Sequence, residues 1–118
     1  DLADNAFLNF KDEIFSTVAN TAITKGTPIK AYYNQCEPLA NTINGKGLDG
    51  YYSGVCVLDC LDGETCYAKY AGFMDLTGIV AGITVGNYIG ITSGVLAIVA
   101  TPSDAIGRIV DGGHMRFY

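Results

Sequence analysis

The residues best able to do chemistry in this chain are its four cysteines, Cys36, Cys56, Cys60 and Cys66. Three readings are open. An even count allows two disulfides in an oxidising compartment. Thiolates also hold metals. Buried free thiols pack as small hydrophobes, and this reading fits the composition best. Cys60 and Cys66 flank Asp62-Gly63-Glu64, so a three-residue hairpin loop sets them opposite one another. A regular strand puts Cys56 and Cys60 on one face. No CxxC pair exists, and the single histidine, His114, is remote in sequence, so no metal ligand set is assigned.

A catalytic set is equally hard to assemble. Thiols and hydroxyls are present, but a general base is short: His114 sits near the last residue with no nucleophile motif around it. Asp59, Asp62 and Glu64 cluster at a hairpin tip, where a solvated turn is the simpler account than a paired-carboxylate site. Their spacing does not match a calcium-binding EF-hand loop. Glycines are abundant, yet no phosphate-cradling glycine motif occurs. The chain therefore reads as a non-enzyme with no catalytic residues and no cofactor. Tyrosine is frequent, with doublets at Tyr32-Tyr33 and Tyr51-Tyr52. In a strand one member of each doublet faces outward, and exposed tyrosines favour protein interfaces.

The whole chain supports an interaction role. Its 118 residues suffice for one domain with a real core. Hydrophobic residues make up 49% and charged residues 16%, a balance that suits a surface partly covered by partner subunits. The net charge of −5 argues against nucleic acid, which needs a basic face. The opening stretch is acidic at its start and lacks the apolar region of a secretory signal.

Gly78 to Ala100 decides the fold class. No charge interrupts the chain between Asp75 and Asp104, and glycine falls at every fourth position from Gly78 to Gly94. That is long enough for a membrane helix with a close-packed glycine face. Yet five glycines make a poor helix, the residues between them favour strands, and no basic cluster flanks the stretch. Gly86-Asn87 and Ser93-Gly94 are turn dipeptides that cut it into strand-length pieces, Ile79–Val85, Tyr88–Thr92 and Val95–Ala100. Further strands are expected at Pro28–Tyr33, Cys36–Ala40, Tyr51–Leu61, Thr65–Tyr70, Ile106–Val110 and His114–Tyr118, with 41–50 as an exposed loop. The expected architecture is mainly β: a small β-sandwich or tulip-like barrel over residues 23–118, preceded by an arm over 1–22. In that arm Phe7, Phe10, Ile14, Phe15 and Val18 make one apolar stripe of a short helix.

The order of these pieces resembles the capsid decoration proteins of tailed phages, which cement the heads. Ala22-Ile23-Thr24-Lys25-Gly26-Thr27-Pro28-Ile29-Lys30 is similar to that family's opening. Gly54–Val57, Asp62-Gly63-Glu64, Ala71-Gly72-Phe73, Ile83–Ile89, Thr92–Leu96 and Ile106–Val110 follow in matching order. The resemblance implies a β-rich fold without enzyme activity, a homotrimer, and a place on the outside of an icosahedral head bridging neighbouring major capsid proteins. It implies a virion component assembled in the cytoplasm of a host bacterium, bound to neither nucleic acid nor membrane. It also makes the N-terminal segment, with Phe7, Phe10, Ile14 and Phe15, the partner-binding arm. The alternative is another β-rich structural module: a head fibre or spike base, or an extracellular pilus-like subunit.

Overall fold

The computed structural model describes residues 13–40 and 52–118. The first half of the fold is a closed barrel built from β1 (Ile14–Ala19), β2 (Pro28–Tyr32), β3 (Gln35–Pro38), β4 (Gly54–Cys56) and β5 (Thr65–Lys69). The strands run in the order β1-β3-β2-β4-β5 around the wall. A two-residue turn at Tyr33-Asn34, with φ of 49° and 63°, joins β2 to β3. Two successive left-handed residues match the strand twist of a tight hairpin. β1 closes the barrel. It runs antiparallel to β5 from Ile14↔Lys69 to Val18↔Thr65, and parallel to β3 at Val18↔Gln35 and Ala19↔Cys36.

The expected helix is thus overturned where the structure can test it, because Ile14–Ala19 is a strand. Phe7 and Phe10 lie outside the described residues. The apolar positions Ile14, Phe15 and Val18 satisfy a helical period. Burial follows a period of two instead, with Thr17 and Ala19 facing the barrel interior. Two flanking strands supply backbone partners to β1, whereas a short isolated helix is marginal.

The second half is an open antiparallel sheet. It comprises β6 (Phe73–Asp75), β7 (Tyr88–Thr92), β8 (Val95–Val99), β9 (Ala105–Asp111) and β10 (His114–Phe117), in the order β6-β10-β9-β7-β8. Ser93-Gly94 turns β7 into β8, and Gly112-Gly113 turns β9 into β10. Ile79–Val85, expected as a strand, is a series of turns. Gly78, Gly82 and Gly86 all take positive φ there, which breaks any extended run. Ile79, Val80 and Ile83 still pack on the core beneath.

Two cores result. The larger one joins Leu39 and Val55 of the barrel half to Met74, Leu76, Ile89, Ile91, Leu96, Ile106, Ile109, Met115 and Phe117. This shared core holds the two halves together. The second core lies within the barrel: Ala19, Ile23, Ile29, Ala68 and all four cysteines. A five-stranded barrel has a narrow interior, and small side chains fill it. Gly94 marks the seam between the halves. Its φ is +81°, and a Cβ there would run into the carbonyl oxygen of Leu39.

Candidate interaction surface and thiol cluster

The outer face of the second sheet carries an ordered row of side chains. Register places Phe73 opposite Arg116, Arg116 opposite Arg108, and Arg108 opposite Tyr88. Met115 and Ile109, the intervening pair, point into the core. Alternation along each strand therefore sends the arginines outward. The Arg108 guanidinium lies 5.8 Å from the centre of the Tyr88 ring. Phe73 is 57% exposed and Tyr118 51%, large areas for aromatic rings. A groove of about 380 Å³ opens among Arg108, Val110, Arg116, Phe117 and Tyr118.

These are the only two arginines of an acidic chain. Like charges directly opposite on adjacent strands repel. Among the described residues neither arginine pairs with an Asp or Glu side chain, whereas Lys30 pairs with Glu37 at 3.1 Å and His114 with Asp111 at 2.8 Å. An exposed arginine pair framed by aromatic rings is the composition of a protein interface. The sequence reading missed this face. The signal was present, since Arg108 and Arg116 each stand four residues from Gly112, the hinge of a glycine turn.

The barrel interior gathers the cysteines. Cys56 comes from β4, Cys66 from β5, Cys36 from β3, and Cys60 from the loop where it bridges to Ile23. Cys56 Sγ lies 3.1 Å from Cys66 Sγ and 4.0 Å from Cys60 Sγ. All three sulfurs fall within 4.8 Å of one another. Cys36 is buried in the same core. The hydrogen bond from Cys66 draws the Cys56 thiol down to about 7, against the effect of burial. The same bond, together with burial, pushes Cys66 up. Burial raises Cys36 and Cys60 as well.

The remaining sequence candidates have local roles. Asp59 Oδ1 accepts the Lys25 backbone N–H at 2.7 Å, and Glu64 Oε1 accepts that of Leu61 at 2.7 Å. Both carboxylates secure turns. His114 faces Asp111 on the outside of the second sheet, on the other half of the fold from the thiols. Both members of the first tyrosine doublet are exposed, Tyr33 almost completely at 95%, because it sits in the turn itself. Tyr32 OH donates to Glu37 Oε1 at 2.9 Å, beside Asn20 Nδ2 at 3.0 Å. With Lys30 these groups hold the Glu37 carboxyl down at about 2. Ile14 and Phe15 are half-buried in β1, with the Phe15 ring 6.0 Å from that of Tyr70. Among the described residues no helix is long and apolar enough to cross a membrane.

No protein-family model matches this chain, and no curated protein matches it. A solved structure does. The fold is similar to that of the head fibre gp8.5 N base of bacteriophage phi29. The TM-score is 0.56 at 15% identity, over 89% of this chain and 92% of that one. The likeness is one of fold, and it spans the barrel and the second sheet together.

Proposed function

We propose that this protein is a structural component of a phage virion, seated on the outside of an icosahedral head. The observation that carries this reading is the fold shared with a head-fibre base over nearly the full length of both chains. The base of a head fibre is therefore the favoured form. Its partners are the major capsid protein and further copies of itself, in a homotrimer. It performs no catalysis and touches neither nucleic acid nor membrane. The separation of His114 from the thiols supports a non-catalytic role, and the acidic charge supports the absence of nucleic acid. The Arg108–Arg116 face and the segment carrying Phe7 and Phe10 are the contacts we assign to the capsid. Symmetric repetition makes modest contacts sufficient, because linked copies bind with avidity.

A second reading, a decoration protein that cements neighbouring capsid subunits, is favoured by the motif run from Ala22 to Lys30 and its ordered continuation. One experiment separates the two. Purified protein is sized by light scattering, then sedimented with assembled heads and with free capsid subunits. A trimer that binds heads and not free subunits is expected. A fibre base occupies few sites and leaves head stability unchanged. A cement protein saturates the lattice and raises the temperature at which heads open. A monomer without affinity for heads would overturn both.

A further inference from the structure

We propose that Cys56, Cys60 and Cys66 bind one thiophilic metal ion, Zn2+ or Cu+, inside the barrel. Three thiols converge there, from β4, β5 and the loop between them, with all three sulfurs within 4.8 Å of one another. In a tetrahedral zinc site with Zn–S bonds of about 2.3 Å, neighbouring sulfurs stand roughly 3.8 Å apart. The Cys56–Cys60 and Cys56–Cys66 separations of 4.0 and 3.1 Å bracket that value. Cys36 of β3 lies in the same buried core. A structural zinc site takes four ligands, and Cys36 is the remaining thiol of that core.

A second observation points to the same place. Thr17 is opposite Cys66 in the β1–β5 register and only 4% exposed, yet its Oγ1 has no hydrogen-bond partner among the described residues. A buried hydroxyl beside the cluster is a ready donor to a metal-bound thiolate, and such outer hydrogen bonds tune thiolate sites. Cys56 at present donates its S–H to the Leu58 carbonyl at 2.8 Å. Metal binding gives up that bond, and each ligand thiol releases its proton to solvent. The ion would tie β4, β5 and the loop between them together in the part of the fold whose core side chains are smallest. That role is independent of whatever the outer surface binds.

The test uses the full chain, reduced and stripped of metal by a chelator. Zn2+ and Cu+ are each titrated in, with Co2+ as a spectroscopic probe of thiolate ligation. Binding of one ion per chain, a thiolate-to-cobalt charge-transfer band and a higher melting temperature are expected. Preference between the Zn2+ and Cu+ titrations names the ion. Cys60→Ser should weaken affinity by more than ~100-fold, beyond the loss typical of an outer-shell change. Thr17→Val, which keeps the shape of the side chain, should weaken it by about 10-fold. Thiols are counted separately, in denaturant, on protein never exposed to reductant. Four thiols with no metal uptake would make the cluster simple packing, and two would make it a disulfide; either overturns the proposal.

Discussion

Arg108 of β9 and Arg116 of β10 face each other directly across an antiparallel pair, on the outside of the second sheet. Each has an aromatic residue as its other cross-strand neighbour, Tyr88 for Arg108 and Phe73 for Arg116. The repulsion between them is a standing cost to the free protein that a carboxylate-bearing partner would remove. Arg116→Glu tests this from both sides. The substitution makes an opposite-charge pair and should stabilise the isolated protein by about 0.2–1 kcal/mol. It should at the same time weaken binding to heads. Thermal melts and co-sedimentation at two salt concentrations read the two effects. A variant that is less stable, or that binds as well as the parent, would remove this face from the interface.

The Glu37 network predicts acid sensitivity. Its carboxyl is held at about 2, below the ordinary 4.5, by Asn20 and then by Lys30 and Tyr32. A carboxyl lowered in the folded state stabilises that state above the unfolded value. The contribution is complete above about pH 4.5 and lost as pH falls towards 2. Glu37→Gln should flatten the stability profile across that window and leave it unchanged near neutrality in shape. Chemical denaturation at a series of pH values measures it.

Gly94 should tolerate no side chain. Its positive φ and its approach to the Leu39 carbonyl both exclude a Cβ. Gly94→Ala is expected to cost more than ~1 kcal/mol, whereas Gly63→Ala, open around its Cβ position, should cost less. Melting temperatures of the pair decide it.

Truncation separates the N-terminal segment from the barrel. Removal of residues 1–12 leaves β1 whole and should abolish head binding while the melting transition stays cooperative. Removal of 1–20 takes away the strand that closes the barrel and should unfold the β1–β5 half. Equal head binding by the shorter truncation and the full chain would exclude a contact through Phe7 and Phe10.

The sequence alone determined the features that depend on near neighbours. Strands Pro28–Tyr32, Thr65–Lys69, Tyr88–Thr92 and His114–Phe117 follow from alternation, and the turns at Ser93-Gly94 and Gly112-Gly113 follow from residues that accept positive φ or tight bends. Glycine also concealed something, since Ile79–Val85 has strand-forming residues but is bent by the left-handed glycines around it. Only the tertiary structure decided the rest. Ile14–Ala19 satisfies two periods, and what makes it a strand is β5, some fifty residues away, offering Thr65 to Lys69 as partners. The cysteines meet for the same reason: barrel closure turns four separate positions towards one narrow interior. The arginine row exists because register across β6, β10, β9 and β7 aligns residues far apart in the chain. Local conformation is written in neighbouring residues, whereas pairing, closure and register depend on the relative energies of long-range contacts that no local pattern contains.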